Sequence, residues 1–252
     1  MKQLIKLSCI AALVALAGCS TTPKQQVEQG SPAQYQDPRD PLEALNRSIW
    51  TFNFDYLDAY VLKPVTIGYM TVVPKPARTG LSNVVNNLDE PANFINGLLQ
   101  GKPESSAHSA GRFLLNSTVG VAGLFDVASH MGLAERQEDF GQTLGVWGLS
   151  DGPYLMIPAR GPTTLRNLTG DVVDNLYFPM SVLTTPQTIA KFVITAMTAR
   201  EQLMAQEKLL TNSLDPYAFV KDAYFQRQNF ELYDGEPPEQ SVDEEALEAF
   251  LE

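Results

Sequence analysis

The chain has 252 residues, 18 Lys and Arg against 29 Asp and Glu, a formal charge of −11, two cysteines and two histidines. An acid excess of this size excludes a basic nucleic-acid-binding surface as the organising feature. So few cysteines and histidines exclude a disulfide scaffold and leave a zinc site short of its usual ligands.

Residues 1–18 read as a signal peptide, with Lys2 and Lys6 as the basic n-region and 7–17 as a short apolar run. It ends in Leu16-Ala17-Gly18-Cys19, the spacing of a bacterial lipobox. In that pattern the cysteine becomes the first mature residue and is acylated on sulfur and nitrogen. Two or more acyl chains hold a protein stably on a membrane, whereas one is marginal. Cys9 leaves with the signal peptide, so neither a disulfide nor a free thiol is expected in the mature chain. Ser20 rather than an aspartate follows Cys19. By analogy with lipoprotein sorting in Gram-negative bacteria, that favours the outer membrane. Residues 19–38 are rich in Gln, Thr, Ser and Pro and read as a lipidated flexible tether of about 25 Å reach.

Folding is predicted to begin at Asp40-Pro41-Leu42-Glu43, with Asp40 at the N-cap, Pro41 in the first turn and Glu43 completing a capping box. The helix that follows is predicted to end near 62, before Pro64. Its Leu45, Ile49, Trp50, Phe52, Phe54, Tyr56, Leu57 and Tyr60 cover most of the circumference, which suits a helix buried all round or one partly facing lipid. Pro76, Pro91, Pro103, Pro162, Pro186 and Pro216 each precede a helical pattern. The predicted helices are 77–88, 91–100, 103–118, 122–131, 138–149, 162–177, 186–210 and 216–230. Only 154–157 reads as extended. The expectation is an all-α, single-domain body over 39–232, followed by an acidic tail over 233–252. Nine acids and no Lys or Arg fall within 228–252, so most of the negative charge belongs to that end.

Three stretches carry one formal charge each: 113–134 (Asp126), 140–159 (Asp151) and 178–199 (Lys191). Gly or Pro interrupts all three, so none supplies the ~20 consecutive apolar residues of a spanning helix. In the second, Gly141, Gly145, Gly148 and Gly152 are spaced to share one helix face. Such a stripe marks close backbone packing or a wall that bends. On a helix, Gly145→Ala or Gly148→Ala should raise helix propensity by about 1 kcal/mol. In the third, a helix over 184–202 puts Thr184, Gln187, Thr188, Lys191, Thr195, Thr198 and Gln202 on one face and Ile189, Phe192, Val193 and Ala196 on the other. Hydroxyls around one cation suit a phospholipid head group. A lysine snorkelling from a core helix is the alternative.

Gly148-Leu149-Ser150-Asp151-Gly152 fits the G-x-S-x-G nucleophile elbow. The elbow needs a strand before the serine and a histidine after it. His108 and His130 both precede Ser150, and no parallel-sheet pattern surrounds it, so catalysis is not expected.

Over about 39–230 the sequence resembles the MlaA (VacJ) family of outer-membrane lipoproteins. The resemblance rests on Asp40-Pro41-Leu42-Glu43, Asn46-Arg47, Phe52-Asn53-Phe54 with Leu57-Asp58, and Gly80-Leu81-Ser82-Asn83. It continues through Asn87-Leu88 with Glu90-Pro91, Arg112-Phe113 with Leu115-Asn116, and Phe125-Asp126-Val127-Ala128. Phe140-Gly141 through Gly152-Pro153-Tyr154, Pro158 with Gly161-Pro162, and Asp215-Pro216-Tyr217 complete it. Asn167 departs from the family's usual Arg-Asp at 166–167, which puts any ion pair of that aspartate in doubt.

The resemblance implies a helical ring lying in the outer membrane around an amphipathic channel, lipid-anchored at Cys19 and facing the periplasm. It implies association with an OmpC/OmpF-type porin trimer. It also implies removal of mislocalised phospholipids from the outer leaflet to an MlaC-like periplasmic lipid-binding protein. No catalysis, cofactor or metal is implied. The expected channel or lipid-contacting residues are Lys191, Thr188, Thr195, Trp147, Gly145 and Gly148, with Asn53 and Phe54 in gating and ring integrity. The rival readings are a structural lipoprotein scaffolding porins without lipid transport and, behind it, a lipid-hydrolysing enzyme.

Overall fold

A computed structural model describes residues 37–238. The signal peptide, Cys19, the tether up to 36 and the tail beyond 238 lie outside the described residues. The described body is helical, with one two-stranded hairpin. No described helix is long and apolar enough to cross a membrane.

Helix α1 (Glu43–Thr51) passes without a break into a π-helical segment (Phe52–Leu62) and then α2 (Lys63–Val72). The expected stop before Pro64 does not occur. Pro64 sits in the first turn of α2, just after the Lys63 N–H bonds the Asp58 carbonyl five residues back. The missing proline N–H therefore falls where the ladder changes pitch, at a helix start that tolerates it. Nor is Asp40 the N-cap, because α1 begins at Glu43 behind Leu42, which makes no side-chain cap. The buried Asp40 carboxylate instead accepts from Asn46, Tyr217 and Lys221, and these stronger tertiary partners displace the local cap.

Helix α3 (Lys75–Leu99) runs straight through Pro91, where two helices are predicted from sequence. An interior proline costs about 3 kcal/mol in isolation. Here the antiparallel α4 (Pro103–Thr118) packs along the helix, and Glu90, next to the proline, is buried against Arg112 of α4. Helix α5 (Val127–His130) is shorter than predicted because Val121 and Ala122 take φ of 55° and 56°, which bars a right-handed start at 122. Asp126 caps it by accepting from the Ser129 N–H.

Helix α6 (Phe140–Val146) is also short. Asp139 caps its start, and its end is a Schellman closure. The Gly148 N–H bonds the Gly145 carbonyl at 2.9 Å and the Leu149 N–H bonds the Leu144 carbonyl at 2.9 Å, with Gly148 at φ 89°. The four glycines therefore do not share a helix face: Gly148 stops the helix, and Gly152 lies beyond it. Strands β1 (Tyr154–Ile157) and β2 (Gly161–Thr164) pair antiparallel, Tyr154 opposite Thr164. The expected extended run is β1. Its partner occupies residues predicted to open a helix, and α7 (Leu165–Asp174) starts only after Thr164, whose hydroxyl accepts from the Asn167 N–H. Helices α6 and α7 cross almost backbone to backbone: a Cβ on Gly170 would lie 2.3 Å from the Gly141 nitrogen.

The predicted helix 186–210 divides into α8 (Thr185–Met204) and α9 (Glu207–Thr211), and α10 (Pro216–Leu232) follows the predicted start at Pro216, capped by Asp215.

A small apolar core joins β1 to α10 through Tyr154, Met156, Tyr217 and Phe225, with Ile49, Trp50 and Tyr224 packed on it. The outer edge of β1 is met by two amides seven residues apart. Asn46, 1% exposed, donates to the Tyr154 carbonyl at 3.0 Å and accepts from the Met156 N–H at 2.9 Å. Asn53 donates to the Ile157 carbonyl at 2.9 Å and accepts from the Ala159 N–H at 2.8 Å. Two turns of helix bring both amides to one side.

Candidate functional site

Polarity in the described residues is inverted. Buried side chains include many more polar and charged groups than apolar ones, while large apolar side chains are exposed on nearly every helix. Val72 is 81% exposed, Tyr60 76%, Ile189 57% and Phe192 51%. Apolar surface this extensive marks contact with lipid or partner rather than with water.

Between them, α3, the segment before α6, α7 and α8 line a half-open cavity of about 260 Å³. Asn86, Asp89 and Asn93 line it from α3, Asp171 and Asp174 from α7, and Lys191 from α8. Glu135, Glu138 and Asp139 complete its acidic wall. Lys191 pairs with Asp89 at 3.1 Å. Glu138 is held by Lys102 at 3.2 Å and by Ser105, and Asp171 by Arg160. Asp174 accepts from Asn96 Nδ2 at 2.7 Å and from the Phe140 N–H at 3.0 Å. Asp139 accepts from the Gln142 N–H at 2.7 Å. Among the described residues neither Asp139 nor Asp174 forms an ion pair. Burial pushes the Asp174 carboxyl up to about 6, against the hydrogen bonds that lower it, and the Asp139 and Asp171 charges add to the rise. Burial likewise raises Asp89 and Asp171, with Lys191 and Arg160 opposing.

Of the residues singled out in the sequence, Lys191 alone lines this cavity. Thr188 and Thr195 lie on its flank of α8 and are exposed. Ile194 and Met197 turn inward, while Ile189, Phe192 and Val193 face outward. Trp147 closes α6, its Nε1 donating to the Leu99 carbonyl at 3.2 Å and its ring edge-on to Phe140. A Cβ on Gly145 would lie 2.9 Å from an Arg166 nitrogen, whereas Gly148 has nothing within 4 Å. Asn53 holds the hairpin end, and Phe54 stacks on Trp50 at 4.9 Å between centroids.

Arg166 pairs with Asp151 at 2.8 Å. Asn167 donates to the Tyr224 hydroxyl and to Gln228 on α10. Ser150 is exposed in the loop after α6, with helix rather than strand before it. Among the described residues no group of His, Cys, Asp or Glu is arranged to hold a metal ion.

The acids of the cavity escaped the sequence reading because they come from three separate segments. A signal was present on α3, where Asn86, Glu90 and Asn93 recur at helical spacing and give a polar, non-basic inner face.

Comparisons with known proteins agree with one another. The family described as "MlaA lipoprotein" matches residues 38–231. The "Intermembrane phospholipid transport system lipoprotein MlaA" of Escherichia coli (strain K12) is 38% identical over 252 residues, covering 97% of this chain and 96% of that protein. Its namesake in Haemophilus influenzae is 36% identical over 239 residues, covering 93% of each. A solved structure described as "Structural basis for maintenance of bacterial outer membrane lipid asymmetry" superposes with a TM-score of 0.73 at 43% identity, covering 77% of this chain and 98% of that one.

Proposed function

This chain belongs to the MlaA lipoprotein family, and from that premise we propose that it removes mislocalised phospholipids from the outer leaflet and passes them to a periplasmic lipid carrier, so maintaining outer-membrane lipid asymmetry. The observation that carries this reading is the inverted polarity: polar and charged side chains are buried, apolar side chains cover the helices outside, and a half-open charged cavity lies between α3, α7 and α8. A head group needs the polar interior, acyl chains need the apolar exterior, and moving a lipid requires no bond to be broken.

The finer reading has Cys19 lipidated, the body held in the outer membrane as a helical ring around a channel, and the outlet facing the periplasm. An OmpC/OmpF-type porin trimer would steady it, and an MlaC-like lipid-binding protein would receive the lipid. Lys191 would meet the phosphate with Thr188 and Thr195 beside it, and Trp147, Gly145 and Gly148 would form part of the wall. Asn53 and Phe54 would set the gate, since one pins the hairpin end and the other stacks on the helix leading to it.

The test is outer-leaflet phospholipid in cells lacking this chain. It should rise, fall again with the wild-type chain, and stay high with Cys19→Ala. Deleting Asn53 and Phe54 should instead let phospholipid leak outward and exceed the level of the deletion strain. Full rescue by Cys19→Ala would overturn the anchor, and an Asn53–Phe54 deletion at the wild-type or deletion-strain level would overturn the gate.

A further inference from the structure

We infer that the cavity beside Lys191 selects phospholipids whose head group carries an ammonium as well as the phosphate, over those whose head group is only negative. The inference rests on the phospholipid reading above and names the lipid class. Lys191 is the one cation among the lining residues, and Asp89 at 3.1 Å already neutralises much of its charge. Facing it are Asp139, Asp171 and Asp174. The charge of Asp139 raises the proton affinity of Asp171 and Asp174, and that of Asp171 raises Asp174 further.

Asp171 has Arg160, but Asp139 and Asp174 have only neutral donors among the described residues. A purely anionic head group entering here meets carboxylates that no cation compensates, and like charges repel. A zwitterionic head group places its phosphate at Lys191, whose ammonium has donors beyond the one given to Asp89. Its own ammonium then lies against Asp139 and Asp174. The volume, about 260 Å³, is below the ~300–1,000 Å³ of drug-sized ligand sites. It takes a head group and leaves the acyl chains on the apolar surface.

The experiment extracts lipid from the full lipidated protein purified in detergent. The ratio of phosphatidylethanolamine to phosphatidylglycerol is compared with that of the source membrane. Wild type should be enriched in the ethanolamine lipid about fivefold, which corresponds to about 1 kcal/mol. The pair D139N and D174N removes the two unpaired charges but keeps a capping side chain at 139 and an acceptor oxygen at 174. It should return the ratio to that of the membrane. Should that variant not fold, wild type equilibrated in mixed micelles of graded lipid ratio reads the same preference.

Bound lipid at the membrane ratio in wild type, or enrichment that persists in the double variant, overturns the inference while leaving lipid transport standing. Recovery of no phospholipid at all removes the transport reading itself, and the inference with it.

Discussion

Two regions of this molecule are built on opposite principles. Around β1 and α10, aromatic rings bury one another, and Asn46 and Asn53 occupy the strand edge with paired hydrogen bonds. Around the cavity, carboxylates are gathered with too few cations, and one is pushed up to about 6. The first region trades freedom for rigidity. The second keeps electrostatic strain that a ligand could relieve. A carrier needs both, because a site that binds and releases must be softer than the frame that holds it.

The largest way to break the frame is Asn46→Leu. It strands the Tyr154 carbonyl and the Met156 N–H in a buried place, at about 1–3 kcal/mol each. Chemical unfolding should show a loss of about 3 kcal/mol. A loss under half of that would mean the edge is held by packing alone. Next comes Gly148→Ala. Sequence periodicity made this a helix-favouring change, but φ is 89°, so the methyl costs about 1 kcal/mol instead. A rise in Tm would contradict the Schellman closure.

The soft region is sharpened by Asp174→Asn. The carboxyl has a folded pKa of about 6 against an ordinary value of 3.8, so between these values the native state holds the proton that the unfolded chain releases. Its contribution therefore weakens as pH rises from about 4 to about 6, the direction opposite to that of a carboxylate in a favourable ion pair. The variant should gain stability over wild type through that window and keep the gain above it. A Tm difference that is flat from pH 4 to 7 would deny the burial effect. Smallest in stability is Lys191→Gln, within about 1 kcal/mol, because its pair with Asp89 is partly exposed. Its expected effect is on lipid: outer-leaflet phospholipid rises moderately, and more with Lys191→Glu, which adds a seventh acid to the six lining the cavity. Wild-type lipid levels in both variants would remove Lys191 from the path.

What the sequence disclosed follows the range of the forces involved. The start of α10 was legible because Asp215 and Pro216 act on their own turn. The strand at 154–157 was legible as an extended apolar run between turn residues, but β2 was not, since its strand character comes from pairing with β1. Pro91 and Asp40 misled because tertiary partners, Arg112 for one segment and Tyr217 with Lys221 for the other, outweigh local rules. Lys191 stood out as a lone cation in an apolar run. Its acidic neighbours did not, because Asp89, Asp139, Asp171 and Asp174 meet only once the chain is folded.

The amides along β1 bear on the journey as well as on the destination. A bare strand edge is a template onto which other chains add strands, and proteins with oily exteriors are the ones most exposed to that hazard in water. Asn46 and Asn53 plug that edge with side chains from the same polypeptide. A molecule that wears its apolar residues outside thus withholds one seam along which copies could zip together before reaching a bilayer.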